Sequence, residues 1–268
     1  TIIYLQFCIE HGSLLIGVCI MSTNLKDLHK NHDVLHNQTC LALHALAGAE
    51  VEKGQHESAC AIYEKILHLQ PADSKALLHI GQRAKQLGKP KAALKSLLLI
   101  PRDDPYYFDA QLESGLIFMK IGNANAAIKC LCSAIKTQPS SVAALASRAM
   151  AFAKIERYEK ALLDLNKCIN LNPKRADIFY NRALVHRKSG DNENAIADYT
   201  CAIKLDPSHY RAYNNRAIAL RDAKRFDRAI DDFDKAITIN KDFADGYWNK
   251  ALTMLRIEKY EEAWPLYE

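Results

Sequence analysis

Residues 210–243 read YRAYNNRAIALRDAKRFDRAIDDFDKAITINKDF, and this stretch decides the fold. Apolar residues fall at helical spacing over Asn214–Ala223 and again over Asp227–Ile239, on either side of a short polar break. Two helices joined by a tight turn make a helical hairpin. The same pattern extends upstream, because Pro71, Pro105, Pro139, Pro173 and Pro207 recur at a constant interval of 34 residues. In that frame the chain holds six full units, 40–73, 74–107, 108–141, 142–175, 176–209 and 210–243, and a partial seventh, 244–268, with Lys241 in place of the last Pro. Gly54, Gly88, Gly122 and Gly190 stand in the breaks, where a left-handed helix end suits glycine. Each Pro follows a second helix that it cannot continue, so the chain turns there into the next unit.

The packing logic is written at fixed positions of the unit. The twentieth is Ala59, Ala93, Ala127, Ala161, Ala195, Ala229 and Ala263, and the eighth is Ala47, Gly81, Gly115, Ala149, Ala183, Ala217 and Ala251. Small residues on facing helices predict a hairpin packed near the short end of the ~8–10 Å interaxial range. The twenty-fourth position supplies bulk, with Tyr63, Leu97, Leu131, Leu165, Tyr199, Phe233 and Tyr267. Over 40–268 this signature resembles the tetratricopeptide repeat family. The resemblance implies an all-α, right-handed α-solenoid of helix-turn-helix repeats whose first helices line a concave groove. The early units depart from it: Pro90 stands at position seventeen, Gln111 at position four, and Pro101 shortens a second helix, so an irregularity is expected near Pro101–Pro105.

Composition narrows the function classes. The 268 residues are 49% hydrophobic and 25% charged, which excludes disorder as the overall state. Ten Gly and eight Pro are too few for the frequent turns of an all-β chain. A net charge of +5, from 36 Lys plus Arg against 31 Asp plus Glu, lacks the dense basic face of a nucleic-acid binder. Eight Cys without metal or redox spacing fit a reducing, cytoplasmic setting, and Cys130 and Cys132 read as small packing residues. Residues 1–20 are apolar but carry Glu10 and His11 and no Lys or Arg, matching neither a secretory signal nor a membrane span. Met21 makes a natural start, so 1–20 is expected to be an extension, and 21–39 a His-rich lead-in to the repeats.

No catalytic constellation is present: no phosphate-cradling Gly loop, no His-Glu-x-x-His and no strand-turn-helix nucleophile. The expectation is a non-enzymatic chain without cofactor. His29, His32 and His36 make a weak metal motif, since His32 and His36 share a helix face but no third ligand is evident, and a solvated lead-in is the preferred reading.

Binding residues are clearer. Asn181, Asn215 and Asn249 occupy the sixth position of three successive units, and an amide offers both a donor and an acceptor to the backbone of an extended peptide. The competing reading is that these amides only bridge neighbouring helices. Tyr180, Asn214 and Trp248 at position five, with Arg187 and Arg221 at position twelve, add aromatic and cationic contacts. Arg148, Arg182, Arg216 and Lys250 at position seven are expected to pair with Asp198, Asp231, Asp232, Asp234 and their equivalents rather than form a basic stripe. The chaperone-binding branch of the family clamps a terminal carboxylate with Lys at position five and Asn at position nine. Leu78 and Gln82, or Tyr180 and Leu184, stand there in this sequence, so that clamp is not implied.

The last unit, from Gly246-Tyr247-Trp248 to Trp264-Pro265-Leu266-Tyr267-Glu268, is similar to the repeat that precedes the catalytic domain in bacterial repeat-containing glycosyltransferases. Two functions follow as expectations. The first is a protein-interaction scaffold that binds an extended peptide in its groove, with a protein or peptide partner and neither nucleic acid nor membrane. The alternative is the substrate-recognition arm of an O-GlcNAc-transferase-like enzyme whose catalytic domain lies beyond Glu268.

Overall fold

The structure is a computed structural model that describes residues 25–266, with side chains from residue 34 onward. The expected extension 1–20, the side chains of His29 and His32, and Tyr267 and Glu268 lie outside the described residues. Among the described residues every regular element is helical, and none is long and apolar enough to cross a membrane. The chain divides after Arg83 into two compact units.

The first unit holds α1 (Leu25–Glu52), α2 (His56–Leu69) and the start of α3 (Ser74–Gln86), a helix that runs across the division. α1 and α2 form a hairpin around Leu43, Ala47, Ala59, Ile62, Tyr63 and Ile66. His44 Nε2 lies 2.9 Å from Asp73 Oδ2, while Asp73 Oδ1 accepts from the Ala76 N–H at 2.8 Å and so caps the start of α3.

The second unit begins with α4 (Pro90–Leu97) and continues through α5 (Tyr107–Lys120), α6 (Ala124–Thr137), α7 (Val142–Lys154), α8 (Tyr158–Leu171), α9 (Ala176–Lys188), α10 (Asn192–Leu205), α11 (Tyr210–Asp222), α12 (Phe226–Ile239), α13 (Ala244–Arg256) and α14 (Tyr260–Ala263). A single 3-10 turn, Trp264–Leu266, follows. The irregularity expected around Pro101 is present: α4 has eight residues where later full repeats have fourteen in the second helix. Pro101 explains the stop, since its ring would clash with the carbonyl four residues back, at Leu97, and it has no N–H to bond there.

The spacing of small residues does what the sequence requires. All seven alanines of position twenty are buried, and so are Ala149, Ala183, Ala217 and Gly115 facing them at position eight. The bulky residues of position twenty-four are buried from Tyr63 to Phe233. Each turn contains one left-handed residue. Where Gly122 and Gly190 supply it φ is +85° and +88°, and the equivalent Glu156, Lys224 and Glu258 adopt φ near +60° without glycine. From α5 onward, within the second unit, a seam of methyl-sized contacts and a left-handed residue in every hairpin turn recur from one repeat to the next.

Within the second unit, successive first helices touch each other, α5 with α7, α7 with α9, α9 with α11 and α11 with α13, whereas successive second helices do not. The first helices therefore line the inner face of this unit. An α-solenoid of helical hairpins results, and its inner face presents one side of α9, α11 and α13.

Candidate functional site

A staple built from position seven precedes any ligand chemistry. Arg148 bonds both oxygens of Asp164 at 2.8 and 2.7 Å, Arg182 both of Asp198 at 2.7 Å, and Arg216 both of Asp232 at 2.7 Å. Each carboxylate lies 16 residues ahead, on the second helix of the same hairpin. The remaining guanidinium nitrogen reaches 16 residues back, to the second helix of the previous hairpin: Cys132 Sγ at 3.3 Å, Asn166 Oδ1 at 2.7 Å and Thr200 Oγ1 at 3.0 Å. One arginine thus joins three helices. The expected structural pairing holds, with Asp232 rather than the exposed Asp231 as the partner of Arg216, while Lys250 turns back to Asp234 at 2.6 Å. Cys132, expected to be a packing residue, is half-buried and serves as the acceptor for Arg148.

The amides of the inner face are arranged differently from three independent readers. Asn215 Nδ2 donates to Tyr180 Oη at 2.8 Å, Asn214 Nδ2 donates to Asn215 Oδ1 at 3.3 Å, and Asn249 Nδ2 donates to Asn214 Oδ1 at 3.2 Å. These three bonds link α9, α11 and α13 in one relay. Asn214 stands at its centre, only 5% exposed, which places a buried amide where both its donor and its acceptor are satisfied. Two of the three sixth-position amides therefore bridge helices, the reading that competed with peptide contact. Asn181 is half-buried and makes no side-chain hydrogen bond among the described residues.

Tyr180 is held by its ring. Tyr199 packs against it at 5.8 Å between centroids and His209 at 4.7 Å. His209 in turn accepts from the Ala212 N–H and caps α11. Burial pushes the Tyr180 hydroxyl up, and Arg211, the bond from Asn215 and Arg187 work against that rise. Burial likewise raises Tyr199, opposed by Arg187. Arg187 forms no ion pair among the described residues, and its Nε is buried without a partner. Arg221 Nε lies 3.5 Å from its neighbour Asp222. Trp248 is 47% exposed at the far end of the face.

Sequence reasoning missed Arg211 and His209. Arg211 is one helical turn before Asn215 on α11, so the i, i+4 spacing was the available signal. Among the described residues no group of three or more His, Cys, Asp or Glu is placed to hold a metal ion, and His36 is half-buried.

A model of the tetratricopeptide repeat family matches residues 112–174 and 180–246. A comparison with curated proteins finds no match. Among solved structures, the chain is similar to a crystal structure of MamA, with 27% identity over 62% of this chain and 97% of that one and a TM-score of 0.56. It also resembles YrrB, described as a repeat protein of this kind with an unusual peptide-binding site, at 22% identity over 62% of this chain and 86% of that one, TM-score 0.57. A tetratricopeptide repeat protein from Parabacteroides merdae ATCC 43184 matches at 20% identity over 81% of this chain and 84% of that one, TM-score 0.57. The last two likenesses bear on the fold alone.

Proposed function

The chain belongs to the tetratricopeptide repeat family over residues 112–174 and 180–246, and from that premise we propose that it is a protein-interaction scaffold whose inner face binds an extended polypeptide. The observation that carries the reading is the relay from Asn249 through Asn214 and Asn215 to Tyr180, which fixes polar groups across three consecutive repeats. Preorganised donors and acceptors reduce the ordering cost of binding, the main term that opposes affinity for a flexible ligand. Asn181 is the amide with both functions unspent, so it reads the ligand backbone directly. Asn214, Asn215 and Asn249 act chiefly by holding one another and Tyr180 in place. Trp248, Arg187 and Arg221 supply side-chain contacts at the two ends.

The test is a selection of random peptides against the chain, followed by affinity measurement of the selected sequences on variants. Asn181→Ala should weaken them about 5–10-fold, the value of one or two hydrogen bonds, while helicity and unfolding midpoint stay unchanged. Unchanged affinity in that variant, or no enriched peptide at all, would overturn the reading. Replacing all three sixth-position amides is a poorer test, because losing Asn215 and Asn249 also unlinks helices. The transferase alternative rests on the resemblance of residues 246–268 alone, and the described 3-10 turn at Trp264–Leu266 adds no observation in its favour.

A further inference from the structure

The relay has a direction. Every bond in it donates toward Tyr180: Asn249 to Asn214, Asn214 to Asn215, Asn215 to Tyr180 Oη. Tyr180 Oη is therefore an acceptor from the protein, and its own hydrogen finds no acceptor among the described residues. Donors aligned in series polarise one another, so the final O–H of such a chain is a better donor than an isolated phenol. What it faces is cationic. Arg187 lies on the same helix seven residues on, and Arg211 lies on α11 one turn before Asn215; both are close enough to the Tyr180 hydroxyl to act on its charge. Arg187 makes no ion pair among the described residues and its Nε is buried without a partner, while its guanidinium also acts on the Tyr199 hydroxyl behind Tyr180; Arg211, which is exposed, has its Nε on Tyr210 Oη at 3.1 Å. The Tyr180 O–H and two guanidinium groups from two adjacent first helices thus share one neighbourhood of the inner face.

We propose that this neighbourhood is an anion subsite of the polypeptide-binding face, filled by a Glu or Asp side chain of the bound chain. Its carboxylate accepts the Tyr180 O–H and charge-assisted bonds from Arg187 and Arg211. The assignment rests on the peptide reading above and gives it a chemistry: the ligand is acidic near Tyr180 and runs from there toward Trp248. It differs from a terminal-carboxylate clamp, since it needs no free chain end and uses a phenol at position five.

The experiment uses the full chain and the peptides from the same random selection, resynthesised with acetylated and amidated ends so that side chains carry the only carboxylates. Acidic residues should be enriched in the selected pool, and changing the enriched Glu or Asp to Gln or Asn should weaken binding about 10-fold or more. Tyr180→Phe keeps the ring against Tyr199 and His209 and removes only the hydroxyl; it should erase most of that acid preference. Arg187→Gln should erase it as well and flatten the salt dependence of the acidic peptide, so that in both variants the acidic peptide and its neutral counterpart bind alike. Peptides selected without acidic enrichment, yet weakened by Asn181→Ala, would overturn the anion subsite and leave the groove reading intact. Preference for a free C-terminus over the blocked acidic peptide would overturn it in favour of a terminal carboxylate. Affinity for blocked acidic peptides that persists in Tyr180→Phe and Arg187→Gln would also overturn it.

Discussion

A methyl group added at Gly115 would meet Leu131 Cγ at 2.7 Å and Cδ2 at 2.9 Å, closer than a Cβ tolerates. Gly115 occupies the eighth position, where Ala149, Ala183 and Ala217 stand in later repeats, and glycine is used there because buried Leu131 fills the missing volume. Gly115→Ala should therefore destabilise the second unit by about 1–3 kcal/mol, read as a lower urea midpoint, although alanine is the better helix former. The same substitution at a solvent-facing helical glycine would stabilise. At this scale the small-residue seam was fully legible in the sequence, because contact with a facing helix leaves side-chain size as a periodic mark. The relay was not. Tyr180 bonds Asn215, and Asn214 bonds Asn249, each across 35 residues rather than 34. Rows of equivalent positions suggested three parallel amides; the bonds step from position five of one repeat to position six of the next, a diagonal that only the helix stagger reveals.

Single elements are held by end groups and by the arginine staples. Asn123, Ser141 and Asp191 accept N–H bonds at the starts of α6, α7 and α10, and these caps satisfy donors that a first helical turn leaves open. Asp191 is depressed by its side-chain and backbone bonds with Asn194. The stronger element-level bond is Arg182 to Asp198, whose side chains are 23% and 7% exposed. Asp198→Ala leaves a half-buried guanidinium facing an empty site and should cost about 2–3 kcal/mol. Adding Arg182→Met to that variant should return part of the loss, and a double-mutant cycle from urea unfolding measures the coupling; strictly additive costs would show that the pair contributes nothing of its own. The recurrence of Arg at position seven and Asp sixteen residues later made this pairing readable in advance. The backward reach to Cys132, Asn166 and Thr200 was not readable, since three chemically unlike acceptors leave no common residue type to notice.

On the scale of the whole molecule, stability of the repeats is close to a sum of hairpins and the joints between them. Removal of residues 176–209, one full period, brings α11 against α8 and sets Arg216 opposite Asn166, the acceptor that Arg182 uses now. The shortened chain should keep its ellipticity per residue and unfold cooperatively at a lower urea midpoint, and it should lose all acid preference because Tyr180 and Arg187 go with the deleted segment. Circular dichroism on the purified variant checks the first outcome and peptide titration the second. The all-helical hairpin packing was legible because the period is strict. The division after Arg83 was not, as it falls inside a continuous helix with no break in the sequence pattern.

The staples have a consequence for how such a chain can change length. Because each turn between these helices is spanned by one guanidinium grip of sixteen residues, forward within a hairpin or backward between hairpins, inserting or losing a single residue there misplaces the grip that spans it. Growth and shrinkage are thereby quantised: the array can gain or drop whole periods at modest expense, while a fractional edit forfeits the grip across the turn where it falls.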